Sequence, residues 1–413
     1  MTAKAHVQRV VGTGAEEAAP RVGVVGGGQL ARMMQEAAIP LGIQLHALVE
    51  AADGASGQVI PHSIVGDADD LSAVCGLAAN VDVLTVEHEH VPDEILEAAG
   101  EFAPVRPGAH ALAFAQDKLA MREKMGELGI PVPRWWRVES EDEIAAALAD
   151  LGGQAVLKTP RDGYDGKGVR VIAAASEARD WLKAGGPLLL EEMIPFEFEV
   201  AAVLARRPSG EVACWPVVRT VQQEGACFEV VAPAPGVPPE LEAQIQDIAV
   251  RIAGALDVVG ILAVELFVAR SGEGIVRDDD EAASGGELIP YVNELAMRPH
   301  NSAHWTIEGA DTGQFEQHLR AVLDLPLGSP APLRDWSVMV NVLGSELEDP
   351  REAYPKVMEK YPRAKIHMYG KEVKPRRKIG HVTVVGDDLE EALAQAHGAA
   401  AMLRGDVRAG WVG

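Results

Sequence analysis

Apolar positions recur along the chain with two different periods. RVGVV at residue 21 places Val22, Val24 and Val25 in a strand, and a glycine turn follows at once. Leu30, Met33, Met34 and Leu41 then fall at helical spacing, which predicts a strand, turn and helix in succession. IQLHALVE (43–50) and VDVLTVEHEH (81–90) read as two further strands, the second preceded by helical LSAVCGLAAN. Strands alternating with helices predict a doubly wound parallel sheet, here an α/β unit over 21–118. Residues 1–20 read as a flexible N-terminal extension. A second unit, 119–196, carries helical LAMREKMGEL, the strand QAVLKTP, the glycine-rich DGYDGKG, the strand RVIAA, a helix and the strand LLLEEMI. A third, 197–413, is richer in strands and reads as α+β: FEVAAVLARR, ACWPVVRT, ILAVELFVAR and LIPYVNEL, with the helix LEAQIQDIAVRIAGAL among them. SGEGIVRDDDEAASGG, acidic and glycine-rich, is expected to be a mobile hairpin tip. The last unit closes on the strand HVTVVG and the helix DLEEALAQAHGAAAML.

Composition narrows the classes. A chain of 413 residues is too long for one ordinary core. Aromatic residues are only 5%, so aliphatic side chains and alanine must fill the cores. Acidic residues outnumber basic ones 62 to 37, a net charge of -25 that argues against a nucleic-acid surface. Cys75, Cys214 and Cys227 have no metal-site spacing and read as reduced thiols. No apolar run is long enough to span a bilayer, and the first twenty residues lack the apolar stretch of a signal peptide. The expectation is a cytoplasmic protein that meets neither membrane nor nucleic acid.

Several short stretches carry candidate chemistry. Gly26 to Ala31, GGGQLA, sits between strand and helix, with Glu50 ending the next strand. Exposed N–H groups at such a turn suit an anion: the pyrophosphate of NAD, a sugar phosphate, or none at all. Lys158 ends a strand and DGYDGKG follows, a loop able to cover nucleotide phosphates; a plain hairpin turn would not need the lysine. Glu191, Glu192, Met193 and Ile194 end an apolar strand, where backbone groups could hold an adenine, and Glu199 could reach a ribose; a surface charge cluster is the plainer alternative. Glu265 and Glu294 each stand alone in an apolar strand, Glu294 with Asn293 beside it. A lone buried carboxylate is costly unless it is paired or binds a cation, and two on one face with phosphate nearby suit Mg2+; edge-strand glutamates facing solvent are the alternative. In VEHEH, His88 and His90 should share one strand face and Glu87 and Glu89 the other, with the Glu87 face the better place for a substrate and zinc disfavoured. Met33 and Met34 read as core, and Trp135 and Trp136 as packing at a joint between units. NELAMRPHNSAHWT (293–306) concentrates more kinds of polar side chain than an ordinary loop needs.

Taken in order, the strand-end lysine, glycine loop, paired glutamates and Glu…Asn-Glu resemble the ATP-grasp enzymes. GGGQL, QDK, GYDGKG, NELAMRPHNSAHWT and YGKEVKPRRKIGH narrow the resemblance to the N5-carboxyaminoimidazole ribonucleotide synthetases, from about residue 21 to the C-terminus. The resemblance implies a three-domain ATP-grasp architecture: an N-terminal domain with the doubly wound sheet, a lid, and a C-terminal domain that includes a substrate-phosphate segment. It implies ATP-dependent carboxylation of 5-aminoimidazole ribonucleotide by bicarbonate through carboxyphosphate, in purine biosynthesis, with Mg2+ or Mn2+ and as a homodimer through the first and third units. Lys118 and Lys158 would contact ATP phosphates under a loop of Gly163, Tyr164, Asp165, Gly166, Lys167, Gly168 and Val169. Glu191, Glu192, Met193 and Ile194 would line the adenine, with Glu199 at the ribose and Gln222, Asn293 and Glu294 nearby. Glu265 and Glu294 would hold the metal. Tyr164 and Lys167 would close over bicarbonate, and Arg298, His300, Asn301 and Ser302 would surround the reacting groups. Gly28, Gln29, Leu30 and Glu87 would hold the ribonucleotide, with Arg298 beside it and Lys371 and Arg377 at its phosphate. Met297, Ala303, Arg376 and Gln222 depart from the family, which shows Pro, Gly, Gly and His there. The competing readings are another ATP-grasp ligase such as a formate-dependent glycinamide ribonucleotide transformylase, a non-catalytic nucleotide-binding protein, and a dehydrogenase.

Overall fold

The computed structural model describes residues 19–161, 163, 168–271 and 286–406. The first unit is a parallel sheet of β1 (Arg21–Val25), β2 (Gln44–Val49), β3 (His62–Val65) and β4 (Val83–Val86), in the order β3-β2-β1-β4. The strand expected over 81–90 stops at Val86. The Glu87 side chain turns back to the start of the helix Gln29–Ala38, so the chain bends there, and His88 and His90 do not share a strand face. That helix ends at Ala38, which leaves Leu41 outside it and exposed. β3 carried no legible signal; HSIV is a short edge strand with Ile64 and Val65 exposed.

The second unit is a small antiparallel sheet of β5 (Trp135–Val138), β6 (Ala155–Lys158), β7 (Val169–Ile172) and β8 (Leu188–Glu191), in the order β5-β8-β6-β7. Trp135 and Trp136 are residues of β5, and Trp136 packs on this unit's own core rather than at a joint between units. The helix Lys118–Glu127 before it sends Met121 and Met125 into the core shared by the first and third units.

The third unit is built on a nine-stranded antiparallel sheet. Its strands are β9 (Phe198–Arg206), β10 (Val212–Cys214), β11 (Val218–Gln223), β12 (Ala226–Ala232), β13 (Gly260–Arg270), β14 (Leu288–Ala296), β15 (Trp336–Leu343), β16 (Lys365–Met368) and β17 (Lys378–Gly386). ACWPVVRT, expected as one strand, is two, because Trp215-Pro216 interrupts the ladder. In β13 the alternate residues Leu262, Val264, Leu266 and Val268 pack toward the helix Pro239–Ala255. Ile261 and Ala263 face the other way, with Ala303 and Trp305, and period 2 puts Glu265 on that second face. Among the described residues, no helix is long and apolar enough to cross a membrane.

The helix Gln314–Val322 joins the first and third units. Phe315, Leu319 and Val322 enter the core beneath β1 and β2. His318 lies fully buried between the two sheets; its Nδ1 accepts from Ile261 N–H at 3.2 Å, and its Nε2 meets Thr85 Oγ1 at 2.9 Å. A backbone N–H can only donate, so the neutral ring carries its proton on Nε2 and donates to Thr85. Burial brings the His318 pKa from 6.5 down to about 3. The unfolded chain takes this proton near pH 6.5 and the folded one does not until about pH 3, so the stability tied to His318 is fully present above the first value and is lost as pH falls between the two. Gln at 318 supplies one acceptor and one donor without titrating. His318→Gln should therefore flatten the acid-side loss of unfolding free energy by about 1.4 kcal/mol per pH unit, measured by urea denaturation between pH 6.5 and pH 4. An unchanged slope would refute the buried neutral histidine.

Candidate active site

A cleft of about 900 Å3 lies where the three units meet. At its inner end a buried ionic cluster joins them. Glu191, at the end of β8, accepts from Lys158 Nζ at 2.6 Å and from Arg122 Nε. Arg122 also donates to the Asn293 carbonyl at 2.9 Å, and Lys158 donates to Asn293 Oδ1 at 3.0 Å. Burial alone would raise the Glu191 pKa, but Lys158 and Arg122 bring it down to about 2, so the carboxylate stays ionised. The Glu191 side chain is thus committed to cations, while Met193 projects beyond it with Phe196 stacked on Phe267 at 4.8 Å. Glu192 pairs with Arg134 at 3.0 Å.

The carboxylate pair depends on a backbone irregularity. Glu265 of β13 is directly opposite Glu294 of β14, but the next partners are Leu266 and Val292. Asn293 is therefore the extra residue of a β-bulge. Without it Glu294 would share a face with Val292 and enter the core. With it, both carboxylates line the cleft. Burial, then Glu294 and Glu199, push the Glu265 pKa up to about 8. Such a pair of hard oxygen donors is short of positive charge and fits Mg2+ held jointly with phosphate oxygens. Lys118 Nζ reaches Glu294 at 3.5 Å and the Gly163 carbonyl at the same distance. Glu199 hydrogen-bonds Gln222, which partly offsets the rise in pKa that burial imposes on it.

On the far side of the carboxylates stands the loop that follows β14. His300 Nε2 is 3.5 Å from Glu265 Oε1, and its Nδ1 accepts from the Ser302 N–H at 3.4 Å and meets Ser302 Oγ at 2.9 Å. The backbone donor again sets the tautomer, with the proton on Nε2, facing Glu265. Burial, Arg298 and Lys378 hold its pKa down at about 3, so the ring is neutral. Arg298 pairs with Glu89 at 2.8 Å. Asn301 and Asn341 exchange reciprocal amide hydrogen bonds at 3.1 and 2.8 Å. Met297 and Ala303, two of the departures from the family, are fully buried core residues.

The glycine turn corrects an expectation. Its N–H groups do not stand open to a phosphate: Gly27 donates to Glu50 at 3.1 Å, Gly28 to Glu87, and Ala31 to Glu87 at 2.8 Å. The protein's own carboxylates hold the positive end of this helix. Gln29 and Leu30 still line the cleft, and Lys371 bonds Gln29 Oε1 from the C-terminal segment. Arg377 turns toward Glu372, 3.4 Å from its carbonyl. Arg376 has φ +64, the left-handed region that favours glycine, and pairs at 2.9 Å with Glu224, itself at φ +51.

Tyr164, Asp165, Gly166 and Lys167, and the acidic stretch 272–285, lie outside the described residues. Gly168 has φ +71, a conformation glycine adopts freely, and its carbonyl accepts from Thr159 N–H at 2.9 Å. Sequence reasoning missed Arg122, Gln314, Asn341 and Lys378, and the pairing of Glu89 with Arg298. Lys378 lines the cleft beside the predicted Arg377, and its position in KPRRKIGH was the available signal.

Three family models cover most of the chain: a ribonucleotide synthetase preATP-grasp domain over 20–116, an ATP-grasp domain over 123–315, and a phosphoribosylaminoimidazole carboxylase C-terminal domain over 337–395. The N5-carboxyaminoimidazole ribonucleotide synthase of Mycobacterium tuberculosis is 45% identical over 92% of this chain and 87% of its own. That of Corynebacterium ammoniagenes is 45% identical over 95% and 93%. The crystal structure of the Aspergillus clavatus synthase with ADP and 5-aminoimidazole ribonucleotide superposes with a TM-score of 0.81, at 31% identity over 93% of this chain and 98% of that one. The three-domain ATP-grasp architecture expected from sequence is therefore the fold of the chain.

Removing Glu191's charge would leave Arg122 and Lys158 buried without their anion. Glu191→Gln should lower the unfolding free energy by about 3–5 kcal/mol, read by urea denaturation. A loss under about 1 kcal/mol would mean that water screens the cluster.

Proposed function

The chain belongs to the N5-carboxyaminoimidazole ribonucleotide synthases, ATP-grasp ligases of purine biosynthesis, and we propose that it uses ATP, Mg2+ and bicarbonate to carboxylate 5-aminoimidazole ribonucleotide in the cleft described above. The observation that carries this reading is the 3.5 Å contact between Glu265 and His300, which joins the phosphate side of the cleft to the acceptor side.

Lys118 and Lys158, which line the cleft, would bind the nucleotide phosphates. Glu265 and Glu294 would hold the Mg2+, which when bound offsets phosphate charge during transfer. A bicarbonate oxygen takes the terminal phosphoryl group of ATP, giving carboxyphosphate and ADP. The amine of the ribonucleotide then takes the carboxyl carbon, directly or as released CO2, and phosphate departs. Arg298 supplies fixed positive charge for the developing anions. His300, neutral with its proton on Nε2, acts in its resting state as a hydrogen-bond donor, not a base. Carboxyphosphate is short-lived in water, and Tyr164 and Lys167 of the glycine loop are the groups proposed to cover it.

Gln29, Leu30 and Lys371 are proposed to hold the ribonucleotide, with Arg377 turning to its phosphate on binding. A homodimer through the first and third units belongs to the same proposal; Ile64 and Val65, exposed at the edge of the first sheet, offer apolar surface for it.

ADP release by the purified protein should reach its full rate only with bicarbonate and 5-aminoimidazole ribonucleotide both present, with labelled bicarbonate entering the product. Full ATP turnover with neither, or turnover on formate and glycinamide ribonucleotide instead, would overturn the proposal. Glu294→Gln should weaken Mg2+-dependent turnover by about a hundredfold, and unchanged turnover would remove Glu294 from the metal site.

A further inference from the structure

The helix Gln314–Val322 begins with a glutamine whose side chain is fully buried. Its amide grips both polar groups of one residue: Oε1 accepts from the His300 N–H at 2.8 Å, and Nε2 donates to the His300 carbonyl at 2.9 Å. Because the His300 N–H can only donate, the oxygen of the amide must face it, and the amide orientation is settled. The second hydrogen on Nε2 is then committed to His304 Nδ1, 2.8 Å away. His304 Nδ1 is therefore an acceptor, and the neutral ring carries its proton on Nε2. His304 lines the cleft and is fully buried, yet its Nε2 has no hydrogen-bond partner among the described residues.

The mount is rigid. Gln314 N–H donates to Thr306 Oγ1 at 2.9 Å, and that hydroxyl donates to the Ala303 carbonyl at 2.6 Å. The helix behind is fixed to the first unit by Phe315 and to both sheets by His318.

Resting on the reading of the cleft above, we propose that Gln314 is a positioning residue for the carboxyl acceptor. It holds the His300 peptide beside Glu265 and fixes the tautomer of the His304 ring, which packs against His381 and Phe315. Lys118 and Lys158, the cations proposed for the nucleotide, are held separately, by Glu294, Glu191 and Asn293.

The test compares wild type with Gln314→Glu and Gln314→Met. The first keeps an oxygen for the His300 N–H and loses both donors; the second loses every contact. In both, KM for 5-aminoimidazole ribonucleotide should rise by about tenfold or more, with KM for ATP changed by less than about twofold. Nitrogen-15 spectra of the histidines, assigned with His304→Asn, should show His304 protonated on Nε2 alone in the wild type and should lose that preference in Gln314→Met. Both KM values rising together would reduce Gln314 to support of the fold, and unchanged kinetics or a wild-type His304 protonated on Nδ1 would overturn the proposal. Failure of the wild type to turn over the ribonucleotide would instead sink the functional reading, while the His304 spectrum would still decide the clamp.

Discussion

The cleft exists because Arg122, Glu191, Lys158 and Asn293 satisfy one another out of water. Each comes from a different segment: the helix Lys118–Glu127, the end of β8, the end of β6 and the bulge of β14. A buried ion pair adds little net stability, because desolvation cancels most of its attraction. Its effect here is geometric. Every member is needed by the others, so the sheet of the second unit, the preceding helix and the third unit have one low-energy arrangement. The same contacts hold the Asn293 bulge, and the bulge is what turns Glu294 out of the core to face Glu265.

Charge follows a consistent division around that point. Where the protein can supply both partners it does: Glu191 with Arg122 and Lys158, Glu89 with Arg298, Glu50 and Glu87 with the glycine turn. Glu265 and Glu294 instead face each other and the cleft, with Lys118 3.5 Å from Glu294. A net charge of -25 makes such a local shortage of cations easy to build and easy for a divalent ion to fill. The side lined by His300 and His304 is different in kind, with histidines kept neutral by burial and then by Arg298 and Lys378.

What could be read from the sequence was whatever broke a pattern. A lone Glu265 in ILAVELFVAR contradicts its apolar neighbours, and a lysine closing a strand before a glycine loop has no structural excuse, so both stood out. Partnerships left no such mark. Glu87 looked like a substrate ligand, and nothing in VEHEH says that it reaches back to cap a helix more than fifty residues earlier. Arg122 and Gln314 look like ordinary polar residues of amphipathic helices, since their burial depends on which units dock against them. The bulge at Asn293 has no glycine to announce it. Short edge strands such as β3 and β16 lack enough residues to show a period at all.

Arg376 shows how far local preference can be overridden. Its φ of +64 and the φ of +51 at Glu224 are each unfavourable for a residue with a Cβ. The two residues meet through an exposed ion pair, with a further bond from Arg376 to the Glu224 carbonyl at 3.0 Å. Exposed pairs are worth too little to hold two strained backbones, so the conformation must be imposed from elsewhere. At 376 the cause is visible: Gly344 passes so close that a Cβ built on it would lie 3.0 Å from the Arg376 N atom, and Gly344 N–H donates to the Arg377 carbonyl at 2.8 Å. The tight backbone crossing sets the turn, and the turn sets the direction in which Arg377 and Lys378 leave it. An arginine is therefore tolerated where the sequence resemblance led one to expect glycine, because the constraint belongs to the crossing and not to the side chain.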